Sequence, residues 1–171
     1  AIQASLTGHL VFSTVHTNDS PGSITRLVDM GVEPFLVASS LCAAMAQRLV
    51  RVVCKQCRVP HQVTEDELRT AQVPEERIPG YLQGTYYSAK PGGCPNCNYT
   101  GYRGRSGIYE IMLVDDAVRA LILKNADSNT IKKECVKSQG MVLLREDGVK
   151  KASQGITTLE EVVRVTEEDM L

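Results

Sequence analysis

Two short cysteine pairs, Cys54-Lys55-Gln56-Cys57 and Cys94-Pro95-Asn96-Cys97, constrain the fold of this chain more than any other feature. A C-x-x-C step lets two thiolates converge on one ion from a tight turn, and two such turns complete the tetrahedral coordination that zinc prefers. The 36 residues between Cys57 and Cys94 exceed the commonest ribbon spacing, so the intervening chain must fold back to bring the pairs together. Within it, Thr64 and Glu67 have the spacing of a capping box for a short helix, and Pro74, Pro79 and Gly80 break up the stretch beyond that helix. Four cysteine ligands leave no coordination position open to water or substrate, so Zn²⁺ held by Cys54, Cys57, Cys94 and Cys97 would be structural. The site would be dianionic, and Lys55, Arg58, Arg103 and Arg105 lie where they can offset that charge. His61 is a spare ligand that the complete quartet does not need.

Redox chemistry and disulfides are the competing readings. A thioredoxin-like site needs its C-x-x-C at a helix start after a strand, whereas Cys54 is predicted to follow a helix end. The remaining cysteines, Cys42 and Cys135, fall in helical, core-like patterns. At 171 residues, with 43% hydrophobic and 23% charged side chains, the chain can bury a core without staples, which favours a reducing compartment. Its 19 Lys and Arg against 20 Asp and Glu give no charge-driven reason to expect nucleic-acid binding. Arg48 and Arg51 join the basic residues around the cysteines in the one local patch, which reads as a solvated face. The longest apolar run, Phe35 to Ala46, is twelve residues, short of the roughly 20 that cross a bilayer, and is predicted to be a buried helix.

The organisation reads as α/β followed by helices. "HLVFSTVH" predicts a buried strand from about His9 to Val15, followed by a polar turn. Ser20-Pro21 opens a helix with Ile24, Leu27 and Val28 on one face and Gly31 as its stop. A second helix is predicted from Pro34 to about Val53. After the second cysteine pair, "GIYEIMLV" predicts a strand, and Asp115 or Asp116 caps a helix from Ala117 to about Lys124. Further helices are expected near 130–138 and 142–154, with Gly155 as a C-terminal cap, and Thr158 and Glu161 repeat the capping-box spacing before a last one. The domains predicted are 1–53, 54–107 for the cysteine-bearing excursion, and 108–171 for a strand plus helical end.

His9 and His16 bracket the predicted strand seven residues apart, on opposite faces if the strand includes both. Taken alone, they read as one packed and one surface histidine. Several segments occur together in a familiar order: "LTGHLVFSTVHTND", "RLVDMGVEPFLVASSL", "AQRLVR", the paired C-x-x-C, "TGYRGRSGIYE" and "QGITTLEEVVRVT". Over nearly its whole length the chain resembles the C-terminal portion of the ATPases that drive bacterial type II secretion and type IV pilus assembly.

That resemblance implies the C-terminal part of a RecA-like (P-loop NTPase) core with a protruding tetracysteine zinc subdomain and a helical end. It implies a cytoplasmic homohexamer peripheral to the inner membrane, which uses ATP and Mg²⁺ to move a membrane platform protein. By the same resemblance the first histidine segment is the family's histidine box, with His16 contacting the terminal phosphate and His9 and Thr17 in support. Contact of the basic cluster with a partner or with acidic lipid is a further implication. No G-x-x-x-x-G-K-[ST] occurs in the sequence, so the chain is expected to be a piece of a longer protein and inactive alone. The alternative is a free-standing structural-zinc module that binds nucleic acid or protein.

Overall fold

The computed structural model describes residues 2–166, a mixed α/β chain in which helices outnumber strands. Its described residues divide into two compact units: 2–46 with 110–142, and 47–109 with 143–166. Strand β1 (Ala43–Val53) pairs with β4 (Tyr102–Leu113), and β2 (Val59–His61) pairs with β3 (Tyr86–Ser88).

In the first unit, α1 (Ile2–Leu6) and α2 (Gly22–Asp29) precede α3 (Pro34–Ser40), and α6 (Asp116–Leu123) and α7 (Ser128–Gln139) follow β4. α3 packs on α6, burying Val37 and Ala38 together with Val118 and Ile122. Burial of a valine or isoleucine side chain stabilises by about 1.5–3 kcal/mol. Asp115 caps α6 by accepting from the Val118 amide at 2.9 Å, and Asp127 caps α7 through the Thr130 amide at 3.0 Å. α7 buries Ile131 and Cys135, and burial, then the carboxylates of Asp115, Glu134 and Glu110, push the Cys135 thiol up to about 11.

The second unit contains α4 (Glu65–Thr70), α5 (Ile78–Tyr81), α8 (Leu144–Ser153) and α9 (Leu159–Thr166). Its core joins Val63, Leu68, Ala71, Val73, Ile78 and Tyr86 to Val149, Ala152, Leu159 and Val162. The predicted capping box at α4 is complete: the Glu67 amide donates to Thr64 Oγ1 at 3.3 Å, and the Thr64 amide donates to Glu67 Oε2 at 2.8 Å. α8 and α9 approach so closely that a Cβ on Gly148 would lie 2.5 Å from Val162.

Three expectations are corrected. Residues 9–15 form no strand: they are exposed, with Phe12 at 88%, and no ladder partner satisfies their backbone, which a strand requires. The helix predicted from Pro34 to Val53 ends at Ser40, where the Ser39 and Ser40 hydroxyls donate back to carbonyls of the preceding turn. β1 follows, its exposure alternating along the chain, so Cys42 is exposed between a helix and a strand and is not in a helical core.

Candidate functional site

Cys54 therefore follows the end of β1, not of a helix, yet it leads into a tight turn and β2 rather than the helix that a thioredoxin-like site requires. The Cys57 and Arg58 amides donate to the Cys54 carbonyl at 3.2 and 2.9 Å, forming the first knuckle. The second is a single 3₁₀ turn, Pro95–Cys97, in which the Cys97 and Tyr99 amides donate to the Cys94 carbonyl at 3.1 and 2.9 Å. The approach to this turn demands glycine at position 93, where φ is +53° and a Cβ would lie 2.5 Å from the Tyr99 backbone. The Cys54 amide donates to the Gly101 carbonyl at 2.9 Å and so joins the two knuckles.

This backbone places the four Sγ atoms within 4.8 Å of one another. The separations are 3.9 Å for Cys54 to Cys94, and 3.8 Å both for Cys57 to Cys97 and for Cys94 to Cys97. A regular tetrahedron of sulfurs, each about 2.3 Å from zinc, has edges of about 3.8 Å. The donor set and its spacing thus fit a zinc ion.

The surroundings suit thiolates. The Cys94 and Gly101 amides donate to Cys97 Sγ at 3.2 and 3.3 Å, and Asn96 Nδ2 donates to Cys54 Sγ at 3.6 Å. Burial acts to raise the Cys97 thiol, but those amides outweigh it and hold it at about 6. Burial and the neighbouring cysteine sulfurs push Cys57 up to about 12. Four sulfurs this close cannot all carry charge unless a cation shares them.

The basic residues have specific partners. Arg103 bonds Asn96, and so bears on the cluster through the Asn96 amide. Arg58 stacks over Tyr87 at 3.7 Å and donates to the Gly155 carbonyl at 3.1 Å. Arg51 covers the Tyr102 ring at 4.1 Å and pairs with Glu161 at 2.7 Å, while Lys55 and Arg105 are exposed. His61 is 2.8 Å from Glu67, committed to the α4 cap.

The histidine segment has the opposite character. His9 and His16 are exposed, and His9 Nδ1 lies 3.0 Å from the Thr7 hydroxyl. Thr17, partly buried, donates to the Asp19 carbonyl at 3.1 Å. Beyond it, Ser20 and Glu110 are buried against each other, a pairing that sequence reading missed. Its signal was a carboxylate in register with Ile108 and Met112 on the buried side of β4.

Comparison with known proteins gives this geometry a context. The family model for the type II/IV secretion system protein matches residues 1–164. The chain is 48% identical over 168 residues to the type II secretion system ATPase E of Vibrio cholerae, covering 98% of this chain and 32% of that protein. It is 46% identical over 172 residues to the type II secretion system protein E of Aeromonas hydrophila, covering 99% of this chain and 32% of that protein. The type IV pilus assembly ATPase PilB of Myxococcus xanthus is 46% identical over 169 residues, which cover 98% of this chain and 29% of that protein. The chain thus spans about a third of the length of the curated relatives it matches. With the match running through both compact units and through the cysteine quartet, the chain belongs to the type II/IV secretion system protein family.

Proposed function

We propose that this chain is the C-terminal portion of a hexameric motor ATPase that couples ATP binding and hydrolysis to type II protein secretion or type IV pilus assembly. The observation that carries the reading is the 46–48% identity, over 98% or more of the chain, to proteins named for those two machineries. A zinc module standing alone accounts for the quartet only; it does not account for a family match extending from residue 1 to residue 164.

In this reading residues 1–53 belong to a RecA-like core, 54–107 form the zinc-bearing excursion and 108–171 the strand and helical end. His16 faces the terminal phosphate of ATP, with His9 and Thr17 beside it. An imidazole N–H there donates to a phosphate oxygen, and strengthens that bond as charge develops in the transition state. The phosphate cradle and the Mg²⁺ ligands come from outside this chain, whose sequence lacks a Walker A motif. Cys54, Cys57, Cys94 and Cys97 would hold zinc, which would tie the two knuckles together with no position open for chemistry.

The motor works at the cytoplasmic face of the inner membrane, against a platform protein and other parts of the machinery. The basic cluster is open there to a partner or to acidic lipid, and nucleic acid has no part. Among the described residues no helix is long and apolar enough to cross a membrane. The test compares the full-length protein with this 171-residue chain. The full-length protein is expected to hydrolyse ATP, and the chain alone to show no turnover while retaining one zinc. Turnover by the isolated chain would overturn the division of labour.

A further inference from the structure

Within the first unit, a buried carboxylate is committed to the backbone just beyond the histidine segment. Glu110 is 2% exposed and Ser20 1% exposed. Glu110 Oε1 accepts from both the Ser20 amide, at 2.9 Å, and the Ser20 hydroxyl, at 2.7 Å. Taking a carboxylate out of water costs several kcal/mol, and an apolar side chain of similar size often packs as well or better. An apolar residue would serve the packing of β4, so the use of a glutamate at this register is sought in what it holds.

What it holds is the turn after His16. Thr17 Oγ1 donates to the Asp19 carbonyl at 3.1 Å. Asp19 Oδ1 accepts from the Gly22 amide at 2.8 Å, and Asp19 Oδ2 pairs with Lys132 Nζ at 2.5 Å. Residues 17–20 are thus anchored by Glu110 from β4, Lys132 from α7 and the first turn of α2. Residues 9–16, immediately before the anchored turn, are exposed and in no helix or strand.

We infer that Glu110 is a positioning residue for the nucleotide chemistry: by accepting both Ser20 donors it fixes the Thr17–Ser20 turn, and with it the direction in which His16 and Thr17 meet phosphate. The inference rests on the proposed role of His16 and Thr17. A phosphate contact carried by a segment in no helix or strand depends on the turn that ends it being held in place, and a displacement of about 1 Å costs on the order of 100-fold in rate.

The test is steady-state ATP hydrolysis by the full-length protein carrying Glu110→Ala, Glu110→Gln, Ser20→Ala or His16→Ala. Glu110→Ala is expected to lower kcat by about 30-fold, with the KM for ATP changed by less than about threefold, because the loss falls on orientation in the transition state. Glu110→Gln keeps an oxygen for both Ser20 donors and recovers most of that loss. Adding Glu110→Ala to His16→Ala costs little more, since both act on one contact.

A merely structural glutamate would lower Tm and leave the kcat of the folded protein within about threefold of wild type, and that result overturns the inference. If Glu110→Ala does not fold, Ser20→Ala decides, because it removes one donor and leaves the backbone bond. A kcat loss of about fivefold supports the positioning role, and parity with wild type overturns it. Full turnover by His16→Ala overturns the phosphate reading itself, and the positioning role with it. Loss in His16→Ala beside full turnover in folded Glu110→Ala overturns the positioning role alone.

Discussion

The cysteine knuckles and the histidine segment both gather ligand-capable side chains, and they are built in opposite ways. At the knuckles every sulfur lies near another, amides donate to the thiolates, and the neighbouring arginines are occupied by Tyr87, Tyr102, Glu161 and Asn96. At residues 9–16 the side chains are exposed and the backbone is in no helix or strand, and the turn held by Glu110 and Lys132 follows directly. A closed, saturated cluster can staple a fold but cannot bind a changing ligand. An exposed segment beside a fixed turn can meet a ligand and cannot staple anything.

The sharpest way to break this contrast is to open the staple. Replacing Cys94 with Ser leaves three thiolates, and loss of the metal should destabilise the cysteine-bearing unit by more than about 4 kcal/mol. Metal analysis should then find well under half a zinc per chain, and hydrogen exchange should accelerate across 54–107 while α2 and α3 exchange as before. Unchanged zinc content and exchange would refute the staple.

A smaller effect comes from Glu161, whose side chain is fully buried between Arg51 and Arg164 and accepts the Arg51 amide at 3.0 Å. Glu161→Ala should cost about 2–3 kcal/mol, less than the about 3–5 of a fully buried pair, because both guanidiniums rehydrate when released. Burial alone would raise this carboxyl, but Arg164 and Arg51 outweigh it and hold it at about 2. A group depressed from an unfolded value near 4.3 stabilises fully above that pH and progressively less as pH falls. The Tm difference between wild type and Glu161→Gln should therefore shrink from about pH 4.3 downward and vanish near pH 2. A difference independent of pH would show that the pair does not titrate as described.

Gly155→Ala should cost about 2 kcal/mol, since φ is +70° and the new Cβ would lie 2.7 Å from the Tyr87 ring that Arg58 covers. Chemical denaturation checks it, and a neutral result would mean that the Arg58–Tyr87 stack is not a fixed part of the unit. Thr64→Ala should cost about 1 kcal/mol through loss of half the capping box, with zinc content unaffected. A zinc loss in that variant would join α4 to the metal site in a way that the geometry does not suggest.

Local chemistry was legible in the sequence wherever the partners are close along the chain. Thr64 and Glu67 form their box, Asp115 caps α6, and Gly155 follows the end of α8 in the left-handed conformation. Thr158 does accept the Glu161 amide at 3.1 Å, but the Glu161 carboxylate turns to Arg51 instead of completing a box. No local rule foresees a partner 110 residues away. Similarly, β-branched residues at 9–15 signal a strand only if another strand supplies their hydrogen bonds. The apolar run through Ala46 read as one helix because its break coincides with hydroxyls at Ser39 and Ser40 that bond back to the preceding turn, a feature also found inside helices.

The contrast between staple and contact rests most directly on His16. The decisive measurement is ATP turnover by the full-length protein carrying His16→Ala, with zinc content and folding verified in the same preparation. A fall of at least about 100-fold in kcat is expected, with one zinc per chain retained. Wild-type turnover in that protein would contradict it.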